Sequence, residues 1–130
     1  MILFLDSSVL FELERGNPAI IKELAHLQQM YPNVPQLPFM VYAEFLFGLP
    51  GKNSKNQQKA RLFVQPFPII QTTKRTAEIL TTLKEENDTE AHALPLADLL
   101  IAAQTIEHGG MLLTRDRDFT KIRQLQYMIV

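Results

Sequence analysis

Short apolar runs that each lead to an acidic residue constrain the fold of this chain most strongly. Residues 2–5, Ile-Leu-Phe-Leu, are continuously apolar and stop at Asp6, and residues 111–113, Met-Leu-Leu, are separated by two residues from Asp116. Runs without polar alternation are typical of strands covered on both faces of a parallel sheet. Because ligands of open α/β sheets gather beyond the carboxyl ends of the strands, both acids are candidates for a functional site.

Helical segments alternate with these runs. Helices are predicted over residues 9–14, from Pro18, over 40–47, from Ser54, from Thr72 or Thr73, and over 97–107. Asn17 should cap the second helix, because proline at the first helical position commonly follows such a cap. Ser54 and Gln57 have the spacing of a capping box for the fourth helix.

Shorter segments complete the pattern. Further strands are predicted at residues 36–39, 67–70 and 126–129, and loops at 85–90 and 115–119. Strands that alternate with helices indicate an α/β fold with a mainly parallel sheet. Residues 1–130 should form one domain, since the chain has 130 residues, 46% of them hydrophobic and 21% charged.

Composition limits the kinds of site that this domain can contain. The chain has no cysteine, so any metal site must use oxygen or imidazole ligands, which favours hard cations. The net charge of −1 gives no global attraction to nucleic acid, and only local basic patches could bind it. The N-terminal apolar run is too short for a signal peptide or a membrane span, so a cytoplasmic location is expected.

Two more acids interrupt strongly apolar helices. Glu44 lies within the run from residue 39 to 49, and Asp98 opens the apolar segment 97–107. Either carboxylate would be costly to bury unless it met a cation or a hydrogen-bond donor. If Asp6, Glu44, Asp98 and Asp116 converge, their repulsion would be relieved by one or two divalent cations, and oxygen ligands suit Mg²⁺ or Mn²⁺.

Each acid alone also has a structural explanation. Asp98 could simply favour the dipole of its helix, and Asp6 or Asp116 could cap the helix or turn that follows it. The histidines His26, His92 and His108 are dispersed and lack metal-ligand spacing, which disfavours a histidine base. A phosphatase of the haloacid dehalogenase class would need an aspartate where this chain has Ser8.

Four stretches of the sequence resemble the motif regions of PIN-domain proteins, particularly the VapC-type toxin ribonucleases. They are MILFLDSSVLFELERG (1–16), YAEFLFG (42–48), PLADLLIAA (95–103) and LLTRDRDF (112–119). The regions span the whole chain in order, with one of the four acids in each. The resemblance implies a PIN-like three-layer sandwich, a central and mainly parallel sheet flanked by helices, and endoribonuclease activity.

The resemblance also implies roles for particular residues. Those matching Asp6, Glu44, Asp98 and Asp116 form the acidic pocket that holds Mg²⁺ or Mn²⁺, and those matching Ser8 and Thr114 support it by hydrogen bonds. Asp118 is expected to act as an N-cap or to support the ligands from outside, rather than to bind metal directly. The chain departs from the family pattern at Pro38, Val41 and Leu96, which puts the tuning of the pocket in doubt.

RNA binding and partners complete these expectations. Arg115 and Arg117, with Lys121 and Arg123, could bind the RNA backbone beside the fourth acid, although Lys121 and Arg123 could equally be solvated surface residues. A second basic cluster lies farther off, at Lys52, Lys55, Lys59 and Arg61. The resemblance implies a homodimer and a VapB-type antitoxin that covers the pocket. A non-catalytic PIN-like domain that binds RNA or protein is the open alternative.

Overall fold

The computed structural model describes residues 1–89 and 93–130. The elements in chain order are β1 (Leu3–Leu5), α1 (Ser7–Glu14), α2 (Pro18–Met30), α3 (Phe39–Phe47), α4 (Ser54–Val64), α5 (Lys74–Asn87), α6 (Leu96–Glu107), β2 (Met111–Thr114), a 3-10 helix (Arg117–Lys121) and β3 (Tyr127–Ile129). Glu90 and His92, which figured in the sequence predictions, lie outside the described residues. None of the described helices is both long and apolar enough to cross a membrane.

The strands form a parallel sheet, as predicted. Its order is β1-β2-β3, with Leu3 opposite Met111 and Leu113 opposite Met128. Every residue of β1 and β2 is buried, in agreement with the continuous apolar runs. The α/β class and the mainly parallel sheet are therefore confirmed.

The strands predicted at 36–39 and 67–70 are reduced to single parallel bridges, Phe4 with Gln36 and Leu37 with Ile69. Proline explains the short pairing, since it has no N–H to donate to a neighbouring strand. Pro38 ends the first segment and begins α3, while Pro68 contributes only its carbonyl oxygen, which accepts from the N–H of Leu37 at 2.9 Å. The prediction of strands at 36–39 and 67–70 was therefore wrong in extent, since each segment pairs only through single bridges.

Most helix boundaries agree with the predictions to within two residues. The Asn17 side chain accepts from Ala19 and Ile20, and Thr73 rather than Thr72 forms a capping box at the start of α5. The cap of α4 differs, because Asn53 accepts from the Asn56 N–H at 2.9 Å and Ser54 is already helical. An asparagine one residue earlier therefore replaces the predicted capping box.

The loop predicted at 85–90 is helical as far as Asn87, which ends α5. The polar residues there form the exposed side of a helix, and the Asn87 amide is buried against the next segment. Asn87 Nδ2 donates to the carbonyl oxygen of Leu94 at 3.1 Å, and Asn87 Oδ1 accepts from the N–H of Leu94 at 2.8 Å. The segment 115–119, also predicted as a loop, enters the 3-10 helix at Arg117.

Gly110 lies between α6 and β2, where the chain passes very close to Phe4 and Ile2. A Cβ atom at this position would lie 2.2 Å from Cε2 of Phe4 and 2.7 Å from the carbonyl oxygen of Ile2. Phe4 is fully buried in β1, so its ring has little freedom to move aside. A side chain at this position would therefore disturb the packing of β1, at whose carboxyl end Asp6 lies.

Candidate functional site

Asp6 follows β1 directly and is held by hydroxyl groups. Its side chain is 5% exposed. Its Oδ2 accepts from Ser8 Oγ at 2.9 Å and from Thr114 Oγ1 at 2.7 Å. A buried carboxylate needs such donors, and here one comes from the start of α1 and the other from the end of β2.

The same hydroxyls extend to the backbone after β2. Ser8 Oγ accepts from the N–H of Arg115 at 3.0 Å, and Thr114 Oγ1 accepts from the N–H of Asp116 at 2.9 Å. Both hydroxyls therefore donate to Asp6 and accept from the loop. This network fixes the backbone of Asp116 relative to the carboxylate of Asp6.

Asp116 is the N-cap of the 3-10 helix, and its Oδ1 accepts from the N–H of Asp118 at 2.9 Å. Asp118 was predicted to be an N-cap or to support the ligands, but the N-cap of this helix is Asp116. Asp118 lies in the first turn, is exposed, and forms an ion pair with Lys121 at 3.2 Å. One oxygen of Asp116 is engaged in capping, which leaves the other for a different partner.

Glu44 lies half-buried on α3 and accepts a hydrogen bond from Ser7. The distance from Ser7 Oγ to Glu44 Oε1 is 2.8 Å. Ser7 was not predicted as a site residue. The only local signal in the sequence is its position between Asp6 and Ser8, because its partner Glu44 lies 37 residues away in the chain.

Asp98 reveals the electrostatics of the site. Burial raises the pKa of its carboxyl group to about 6, and the negative charges of Asp6, Asp116, Glu44 and Asp118 add to the effect in that order. Every charge that acts on Asp98 in this way is that of another acid. The structure thus brings the four acids of the separated motifs, with Asp118 beside them, into one electrostatic neighbourhood.

The donor set fits a hard divalent cation. Carboxylate oxygens are the ligands that Mg²⁺ and Mn²⁺ prefer, and a cation would relieve the repulsion felt by Asp98. Among residues 1–89 and 93–130, however, no three acidic or histidine side chains are arranged to hold an ion by themselves. A cation here would need water ligands or small side-chain rotations, and Mg²⁺ commonly retains several waters.

Two arginines border the acids. Arg115 is 45% exposed, and its Nη1 lies 4.0 Å from Oε2 of Glu12 on α1. Glu12 also accepts from Asn17 at 2.9 Å and pairs with Arg15 at 3.0 Å, and the Asn17 bond is the largest cause of its lowered pKa. Glu12 therefore lies beside both Arg15 and Arg115.

Arg117 is exposed in the 3-10 helix immediately after Asp116. Of the histidines, His26 is exposed on α2 and His108 is exposed at the end of α6. Neither contributes to the raised pKa of Asp98. The electrostatics of the site are thus set by carboxylates, with arginines at its border.

A buried amide connects the helices that carry Glu44 and Asp98. Gln104 on α6 is fully buried, and its Oε1 accepts from the N–H of Phe39 at 2.8 Å, while its Nε2 donates to the carbonyl of Ile70 at 3.1 Å. The start of α3 has no side-chain cap of its own. Gln104 therefore satisfies an N–H that would otherwise be unpaired at that helix start.

Comparison with solved structures supports the fold. The chain superposes on the VapBC2 complex from Rickettsia felis bound to a promoter DNA fragment with a TM-score of 0.88, at 22% identity, covering 100% of this chain and 99% of that chain. It superposes on a toxin-antitoxin complex from Klebsiella pneumoniae with a TM-score of 0.74, at 25% identity, covering 96% of this chain and 95% of that chain.

Sequence comparison identifies the family. The chain is 30% identical to Ribonuclease VapC1 of Rickettsia felis in an alignment of 141 positions, gaps included, which covers 98% of this chain and 96% of that protein. The family model of the PIN domain matches residues 3–125, a span that contains all four acids. This chain therefore belongs to the PIN domain family.

Proposed function

We propose that this protein is a metal-dependent endoribonuclease and the toxin component of a VapBC-type toxin-antitoxin pair. The observation that carries the proposal is the convergence of acids from separate segments of the chain. Thr114 Oγ1 contacts both the carboxylate of Asp6 and the N–H of Asp116, and burial and the charges of neighbouring acids raise the pKa of Asp98. A compensating cation would relieve the mutual repulsion of such a cluster. The full-length similarity to Ribonuclease VapC1 supports RNA as the substrate.

The proposed ligands are Asp6, Glu44, Asp98 and Asp116. When bound, Mg²⁺ or Mn²⁺ supplies the positive charge that activates water and stabilises the leaving 3′ oxygen of a cleaved phosphodiester. Two hydroxyl groups, of Ser8 and Thr114, donate to Oδ2 of Asp6 and fix the position of its side chain. No covalent intermediate on the protein is required.

RNA binding is assigned to the arginines at the border of the site. Arg115 and Arg117 flank Asp116 in sequence, and both are exposed. Their charges would attract the phosphate backbone toward a pocket that would otherwise repel it. Glu12 holds the Arg115 side chain near α1 at 4.0 Å without burying it, which leaves that guanidinium accessible to phosphate.

The proposed partners are a VapB-type antitoxin and a second copy of the chain. The similarity to toxin-antitoxin complexes supports the antitoxin, and the second copy is what the resemblance to VapC-type toxins implies. Exposed apolar side chains on neighbouring helices are consistent with a covered surface, since Phe47 is 70% and Leu62 is 61% exposed.

Cleavage of an RNA panel tests the enzymatic assignment. We expect cleavage with Mg²⁺ or Mn²⁺, no cleavage with EDTA, and a loss of at least about 100-fold in Asp98→Asn. Asp88→Asn is the matched control, because Asp88 is an exposed aspartate that pairs with Lys84 on α5, outside the acidic cluster.

Two results would argue against the proposal. Full activity in Asp98→Asn would remove that carboxylate from the mechanism. Tight RNA binding by the folded protein without cleavage under any metal condition would instead support the non-catalytic binding module.

A further inference from the structure

Two adjacent serines at the start of α1 donate to two different acids. Ser8 Oγ donates to Asp6 at 2.9 Å, while Ser7 Oγ donates to Glu44 Oε1 at 2.8 Å. Successive helical side chains point in directions about 100° apart, so one turn of α1 can serve both carboxylates. The Ser7 bond links the strand end that carries Asp6 to the helix that carries Glu44.

The hydrogen bond restricts a flexible side chain. Glutamate is long and has several rotatable bonds, so fixing its carboxylate for a ligand has an entropic cost at the moment of binding. Ser7 engages one oxygen of Glu44 and leaves Oε2 for a cation.

We propose that Ser7 is a positioning residue that orients Glu44 for binding of a divalent cation. This inference rests on the proposed function, because it assigns Ser7 a role through one of the proposed ligands. Groups that hydrogen-bond to metal ligands typically change metal affinity about 10- to 100-fold when they are removed.

A purely structural role, in which Ser7 only joins α1 to α3, is less consistent with the packing. Phe11 on α1 and Phe45 on α3 already stack with ring centroids 5.9 Å apart. Phe45 and Val41 of α3 are buried in the core. Apolar contacts therefore hold the helix pair together, and the Ser7 hydroxyl determines mainly where the Glu44 carboxylate lies.

Mn²⁺ binding to the purified protein tests this role without relying on activity. The electron paramagnetic resonance signal of free Mn²⁺ gives the Kd for each variant. We expect Ser7→Ala to raise the Kd about 10-fold and Ser7→Thr, which keeps a hydroxyl, to restore it. Ser54→Ala removes an exposed serine at the start of α4 and should leave the Kd unchanged.

A double-mutant cycle with Glu44→Ala shows whether Ser7 acts through that residue. In the Glu44→Ala background, adding Ser7→Ala should not weaken Mn²⁺ binding further. The melting temperature of metal-free Ser7→Ala should match that of the unchanged protein, which separates positioning from folding.

The possible failures are distinguishable. If the unchanged protein binds Mn²⁺ and Ser7→Ala binds it equally well, the role of Ser7 is overturned while the proposed function stands. An equal loss from Ser7→Ala with and without Glu44 also overturns the role. If the folded, unchanged protein does not bind Mn²⁺, the proposed function fails and the role of Ser7 fails with it.

Discussion

Thr114 donates its hydroxyl to Asp6 across the ends of β1 and β2, over a distance of 2.7 Å. The same oxygen accepts the backbone N–H of Asp116 at 2.9 Å. One fully buried hydroxyl therefore contacts two of the proposed ligand residues, although Asp6 and Thr114 are 108 positions apart in the chain.

Replacing Thr114 by valine tests this contact, because valine keeps the shape and removes the hydroxyl. We expect RNA cleavage to slow by at least about 10-fold, as is usual when the support of a metal ligand is lost. The free energy of unfolding should fall by about 2 kcal/mol, since two buried polar groups lose their partner. Cleavage rates and urea unfolding measure the two effects. Thr114→Ser should retain most activity, and wild-type cleavage by Thr114→Val would contradict the role of the hydroxyl.

The raised pKa of Asp98 predicts a pH-dependent stability of the metal-free protein. Its pKa in the folded state is about 6, above the ordinary value of 3.8. Between these values the folded state binds more protons than the unfolded state, so this group makes the free energy of unfolding fall as pH rises through about 6.

Asp98→Asn should remove this dependence. In EDTA at pH 7.5, the variant should be more stable than the unchanged protein by about 1 kcal/mol, a value reduced for solvent screening of the half-exposed group. Near pH 4 the difference should vanish. Thermal unfolding at several pH values measures it, with Asp88→Asn as control, and a variant less stable at pH 7.5 would refute the electrostatic explanation.

Gly110→Ala should destabilise the fold. The added methyl group would overlap the ring of the buried Phe4, with 2.2 Å between Cβ and Cε2. We expect the free energy of unfolding to fall by about 3 kcal/mol. Gly51→Ala is the matched control, because no atom lies within 4 Å of a Cβ there. Equal unfolding midpoints for the two variants would show that β1 and β2 do not constrain this position.

Charge reversal at Arg115 tests RNA binding. The measurement is best made in the Asp98→Asn background, where cleavage should not interfere. Arg115→Glu should weaken RNA binding about 10-fold at low salt and reduce the slope of log affinity against log salt by about one. Lys59→Glu reports on the second basic cluster, on α4. A larger effect of Lys59→Glu than of Arg115→Glu would place the RNA path on that cluster instead.

The sequence was informative where one local pattern decides the structure. The apolar runs before Asp6 and Asp116 became the buried strands β1 and β2, and Asn17 before Pro18 capped α2 as expected. These features depend on neighbours in the chain. The four acids were grouped from their positions after strands or within apolar helices and from the four stretches that resemble PIN-domain motifs, without knowledge of their tertiary contacts.

Features that depend on distant partners were not predictable in this way. The hydrogen bond of Ser7 to Glu44 depends on how α1 packs against α3, and nothing near Ser7 in the sequence indicates it. Pro38 and Pro68 limited the pairing of the two segments predicted as short strands at 36–39 and 67–70 to single bridges. Asn53 and Ser54 are both good caps, so the sequence alone did not decide between them.

The buried amide of Gln104 makes the two halves of the acidic pocket mechanically dependent on each other. A single side chain on the helix of Asp98 holds the first turn of the helix of Glu44 and the backbone of Ile70. We therefore expect a shift of either helix to displace the other. Substitutions in the hydrophobic interior around this amide should alter the geometry of the carboxylates even where they do not contact them.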